Sequence, residues 1–351
     1  MSHIKTTHLF VNILSVVIIT TYLFFFVTAN NVMGQGITQT EFDRIQKFDS
    51  SGIFITSWGL NGTGVGEFLH IHGIAVDSAG NIYAVDEENS KVSKFTSDGT
   101  YLTSWGSLGG GDAGFSDQLE DISLDAEDNV YVADYGNSTL LKFDNNGTFI
   151  ASFGENRSSP SGLNRPWGVA FDSENNILVT DSGNQRVKKL SSDGTYITSW
   201  GTNGTEQGQF QKPSGISIDN QDNVYVVDET LSNVQKFSNN GTFITSWGSE
   251  GENASQFDEP HGISIDQTGG KVYVADTGNQ RIQIFDLEGN YIGEFGSLGI
   301  GEGQLLFPQD VAVDQSSGNV YVSDQTIQHP EKRVIERFIE GLTQNQNSTS
   351  G

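Results

Sequence analysis

Eight side chains in this chain of 351 residues are of kinds that do chemistry when they meet: His72, Glu120, Asp121, Trp167, Ser214, His261, Gln309 and Asp310. One chemistry is recognition. An indole offers a stacking face, and His, Glu, Asp, Ser and Gln offer hydrogen bonds to a peptide, a glycan or a partner protein. The other is metal binding, with His72 and His261 as ligands to a divalent ion, zinc or calcium, and Glu120, Asp121 or Asp310 completing the shell. Cysteine is absent, which removes thiolate ligands and disulfides. No nucleophile–base pair, phosphate-binding glycine loop or pair of catalytic carboxylates can be argued from the residues. The glycine-rich runs GLNGTGVG and GSLGGGDAG are followed by no helix, so they read as connections between repeats.

What can bring such distant residues together is a repeat. The aromatics Trp58, Trp105, Phe153, Trp200, Trp247 and Phe295 stand 47 or 48 residues apart, and Asp86, Asp134, Asp181, Asp228, Asp276 and Asp324 keep step with them. A fixed period of this length marks a repeat architecture. Each unit holds four short β-like runs parted by turn residues, as in LNRPWGVAFDSENNILVTDSGNQRVKKLSSDGTYITSWG (163–201). The third turn is Asp-Gly or Asn-Gly in four copies, the residues that two-residue antiparallel hairpins require. The expected fold is all-β: a six-bladed β-propeller of four-stranded antiparallel blades over residues 41–340, its ring closed by strands from both termini. Residues 44–59 would supply the two outer strands missing from the last repeat, with 333–338 displaced outward.

The repeat is its own control. The six aspartates recur in every copy and read as turn caps, Arg186 and Arg281 as their partners, and four of the five tryptophans as packing. The entry to the innermost strand instead varies from copy to copy: His72, Glu120, Trp167, Ser214, His261, Gln309. The following glycine is replaced by Asp121 and Asp310. His70, His72, His261 and His329 all map to the same face, the mouth of the central channel.

Composition narrows the partners. With 44 acidic against 18 basic residues and a net charge of −26, nucleic acid and anionic lipid are disfavoured. Residues 1–29 form a separate class: Lys5, an apolar run over 9–27, then Val27-Thr28-Ala29, which reads as a signal peptide or an uncleaved membrane anchor. Residues 30–40 follow as a linker and 341–351 as a polar tail. The chain is therefore expected outside the cytoplasm, secreted or held at the surface by that segment alone. Sequons at Asn61, Asn137, Asn146, Asn156, Asn203, Asn240, Asn253 and Asn347 fit such a location.

The pattern F-x-x-P-x-G-I-x-x-D, a strand ending in Asp-x-Gly-Asn, then R-I/V-x-x-F, resembles the NHL repeat, best at FDEPHGISIDQTGGKVYVADTGNQRIQIF (257–285). The resemblance implies the propeller and leaves the activity open, because NHL proteins include protein and RNA binders as well as metal-using peptidylglycine amidating lyases. Those lyases bind zinc through histidines on alternate blades, where this chain has His72, Trp167 and His261. Two readings follow. The first is a binding scaffold working through its channel mouth; the second is a metal-dependent lyase or a lactone hydrolase of the gluconolactonase-like kind. The missing catalytic set favours the first.

Overall fold

A computed structural model describes residues 43–109, 113–154 and 159–325. The leader, linker and tail, together with His329, residues 333–338, Asn156 and Asn347, lie outside the described residues. Among the described residues no helix is long and apolar enough to cross a membrane.

Six four-stranded antiparallel sheets form a ring. We number them blades 1 to 6 by their innermost strands: Ile71–Val76, Leu119–Leu124, Pro166–Phe171, Pro213–Ile218, Pro260–Asp266 and Pro308–Val313. Each innermost strand packs beside the next, and that of blade 6 returns to that of blade 1. Burial follows position in the blade. Second strands such as Val130–Asp134 are buried throughout, whereas fourth strands such as Phe243–Trp247 alternate between covered and exposed. That is the contrast between a sheet packed on both faces and an outer rim.

The core lies between blades. One cluster joins Tyr273, Ile282 and Phe295 of blade 5 to Phe48, Val311 and Val322 of blade 6, and five further clusters have the same character. The repeating aromatic and the repeating hairpin glycine explain each other. A Cβ on Gly99 would fall 2.6 Å from the Trp58 ring, and one on Gly241 would fall 2.6 Å from Trp200. Both glycines have φ near +85° (87° and 84°). Glycine therefore satisfies the turn and admits the indole of the preceding blade.

Closure uses the N-terminal strands. Arg44–Phe48 pairs with Val320–Asp324, and Phe54–Trp58 forms the outer edge, so blade 6 takes two strands from each end of the described chain. Arg44 Nε and Nη2 both donate to Asp324 Oδ2 at 3.1 Å. Phe295 sits 4.6 Å from Phe48 and over Gly52, repeating across the seam the contact made between other blades.

Candidate functional site

The six aspartates cap, as their recurrence implies. Asp86 accepts the amides of Leu69 and His70 and the Asn89 side chain, tying the entry segment of blade 1 to the loop after its second strand. Arg186 and Arg281 each donate through Nε to the capping aspartate of their own blade, Asp181 and Asp276, at 2.7 Å. These knots hold the mouth segments in place.

The central channel encloses about 300 Å³, and His72, Glu120, Asp121, Trp167, His261, Gln309 and Asp310 all line it. Ser214 does not. Its hydroxyl is buried and directed at the His261 carbonyl of blade 5, 3.2 Å away, so it joins blades instead of facing a ligand. Trp167 is only 9% exposed. Its ring meets Tyr135 and His261 edge-on, at 5.9 and 5.3 Å between centroids, and Lys212 Nζ lies 4.7 Å from its centre. The indole expected as an open stacking face is thus already covered by a cation and two rings.

The mouth has two poles on opposite blades. In blade 1, His70 Nδ1 and His72 Nε2 stand 2.5 and 3.3 Å from the same oxygen of Glu87, and His72 Nδ1 stands 3.1 Å from Glu120 Oε2 of blade 2. In blade 4, Lys212 Nζ lies 2.6 Å from Glu229 Oε2, which is 3.3 Å from His261 Nε2 of blade 5. His261 Nδ1 turns to Gln309 Oε1 at 2.6 Å. Glu87 and Glu229 hold the same register, directly after the capping aspartate. The residues there run Glu87, Tyr135, Ser182, Glu229, Thr277 and Gln325, a second variable ring beside an unvarying one. Comparing copies one residue beyond the aspartate exposes it.

Asp121 and Asp310 replace glycine where innermost strands crowd the axis. A Cβ on Gly73 would lie 2.6 Å from the Asp121 Cα, and one on Gly262 would lie 2.0 Å from Asp310 Oδ1. Asp310 accepts the amides of Val311 and of Ile74 in the next blade, at 2.8 and 2.9 Å. Asp121 accepts those of Ile122 and of Val169, at 2.7 and 2.9 Å. Each carboxylate therefore bridges two blades. Burial, and then the charge of Asp310, raises Asp121 well above the usual carboxylate range, and burial raises Asp310 to about 6. Both side chains look into the channel, whose water screens part of that effect.

Family models match three segments of the ring. The NHL repeat model matches residues 163–190 and 257–285, and a model described as a 6-bladed beta-propeller matches 41–106. The chain carries NHL repeats and folds as a six-bladed β-propeller. No curated protein matches it. Among solved structures, the NHL propeller resembles a streptogramin B lyase at 14% identity and TM-score 0.55, covering 81% of this chain and 96% of that one. A gluconolactonase from Xanthomonas campestris aligns at 15% identity and TM-score 0.53, covering 72% and 85%. A protein of unknown function from Bacteroides thetaiotaomicron aligns at 16% identity and TM-score 0.56, covering 80% and 74%. At such identities the likeness is one of fold.

The NHL propeller does not offer the zinc site implied by the amidating lyases. Trp167 has no lone pair to give, and His72 and His261 each face carboxylates of their own instead of a shared centre. The three sites on alternate blades therefore do not fit that ion.

Glu229 gives the mouth a pH dependence. Burial would raise its carboxyl, but His261 and Lys212 outweigh burial and hold it down at about 2. A depressed carboxylate adds stability that is present above its unfolded value and lost as pH falls. The NHL propeller is expected to lose about 2 kcal/mol from this group between pH 4.5 and 2, and Glu229→Gln to lose it at every pH. Urea titrations across that range measure the difference.

The sequons differ in geometry. Asn137, Asn146, Asn203, Asn240 and Asn253 are exposed. Asn61, Asn137 and Asn253 donate their amide nitrogens to Asp43, Asp134 and Gln256.

Proposed function

We propose that this propeller is an exported binding scaffold that takes a small polar group of a protein, peptide or glycan into its channel mouth. The observation behind this reading is the set of variable entry positions lining one small cavity, two of which, His72 and His261, are held from behind by Glu87 and Glu229 of the second variable ring. A volume of about 300 Å³ suits a side chain or a single sugar, not the body of a partner. Glu87, Glu120, Glu229 and Asp310 outnumber Lys212 and Arg165 among the described residues of the mouth, which favours a cationic or neutral group. Export is supported by the apolar run over 9–27 and the small residues that follow it.

Arrays of amino sugars and basic peptides test the reading. The intact protein should retain members of one class, and a Trp167→Ala, His261→Ala variant should lose at least about 10-fold in affinity, the effect of one anchoring residue. Equal binding by both proteins removes the mouth as the contact surface.

The His70, His72 and Glu87 cluster favours a second reading, a metal-dependent lyase or lactone hydrolase. Turnover of a lactone or of streptogramin B that requires added metal would support it. Its absence with the metal bound would exclude it for those substrates.

A further inference from the structure

We propose that blade 1 carries a binding site for a divalent transition metal of the zinc class, with His70 Nδ1, His72 Nε2 and the Glu87 carboxylate as ligands and Glu120 as the group that orients His72. The three ligating atoms lie within 4.8 Å of one another, the one such trio among the described residues. The nitrogens stand 2.5 and 3.3 Å from one Glu87 oxygen. Ligands about 2.0–2.1 Å from a tetrahedral zinc stand about 3.3 Å apart, so the cluster accepts an ion with small side-chain shifts.

The backbone has already organised this geometry. His70 stands in the bend just before the innermost strand of blade 1 and His72 within that strand, and their rings meet at 4.9 Å between centroids. The Glu87 amide donates to the His70 carbonyl at 2.9 Å, and Asp86 holds both segments. His72 has its second nitrogen 3.1 Å from Glu120 Oε2, an outer carboxylate of the kind that fixes a ligating imidazole. That Glu120 oxygen is buried and has no donor well aligned to it. It can take a proton on His72 Nδ1 once Nε2 is committed to a metal.

Blade 4 supplies an internal comparison. At the registers of His70 and Glu87 it has Lys212 and Glu229, an ammonium 2.6 Å from a carboxylate. Where blade 4 holds a covalent cation, blade 1 holds two imidazoles. Two nitrogens and one carboxylate suit zinc, cobalt or ferrous iron; calcium prefers six to eight oxygens. Three protein ligands leave a position for solvent or substrate. His72 and Glu120 line the channel, which places the site at its rim.

This proposal deepens the second functional reading and is separable from it: zinc uptake without turnover keeps the site and removes the enzyme. The intact protein, stripped with chelator, is titrated with zinc by calorimetry and with cobalt by absorption spectroscopy. One ion per chain is expected, with d–d bands of low-symmetry coordination. Glu120→Gln should weaken binding about 10–100-fold, and His70→Ala or Glu87→Gln by more. Asp98→Asn, at an exposed hairpin turn, should bind as the parent does. Glu87→Gln keeps the shape and hydrogen-bonding reach of the residue, and circular dichroism confirms that each variant is folded. No zinc binding by the parent overturns the proposal. So does a His261→Ala loss as complete as that of His70→Ala, because the ion would then span the channel.

Discussion

Removing residues 43–58 is expected to abolish cooperative folding of the ring. The segment supplies both outer strands of blade 6 and leaves the Val320–Asp324 strand as an unpaired edge when it is gone. It also uncovers Phe295, Leu305 and Val322, which pack against Phe48. Asp324 would stay buried without Arg44, its only basic partner among the described residues. The truncated chain should elute as aggregate and show no sharp thermal transition. A graded version isolates the apolar part. Phe48 is fully buried, and Phe48→Ala should destabilise the protein by about 3–5 kcal/mol in urea melts. A truncated chain that stays monomeric and melts cooperatively would show that the ring does not depend on this latch.

The second large effect belongs to the axis. Asp310→Ala removes the acceptor of two backbone amides, Ile74 and Val311, at the junction of blades 6 and 1. Two unsatisfied buried donors cost about 1–3 kcal/mol each, so a loss of about 2–5 kcal/mol is expected, softened where channel water reaches them. The pH dependence runs opposite to that of Glu229. Asp310 is raised by burial from 3.8 to about 6, so the folded chain binds the proton more tightly than the unfolded one. Stability from this group is complete below about 4 and is lost as pH rises through about 6. Asp121, raised by burial and by Asp310, adds in the same direction. Asp310→Asn keeps one acceptor and cannot ionise, so its urea midpoint should fall less between pH 4 and 6 than the parent's. Equal slopes would mean that channel water already solvates the carboxylate as bulk water does.

Much of the fold was legible because the sequence repeats its own instructions. Asp-Gly or Asn-Gly marks a hairpin, the aromatic of the preceding repeat packs on that glycine, and the capping aspartate recurs, so each copy confirms the others. Closure was harder, since 44–59 and 333–338 both read as strands. The pairing of Arg44–Phe48 with Val320–Asp324 assigns the third strand of blade 6 to the N-terminal segment.

The mouth was legible by position but not by contact. Seven of the eight candidate residues do line the channel, because deviation from a repeat identifies a register. Ser214 fails because a small hydroxyl at that register reaches a carbonyl of the neighbouring blade. The His72 and His261 pairing fails for a related reason. Glu87 and Glu229 stand after aspartates that looked purely structural, and each claims a histidine first. Trp167 is covered by Lys212 and Tyr135, which reach it from other blades, and such approaches leave no trace in local sequence.

The most direct test of the mouth as a ligand-holding site is crystallographic. Crystals of the intact protein grown with zinc, measured on both sides of the zinc absorption edge, should show one anomalous peak bonded to His70 Nδ1, His72 Nε2 and Glu87. Peaks confined to exposed hairpin carboxylates such as Asp98 and Asp193, or one lying between His72 and His261, would contradict it.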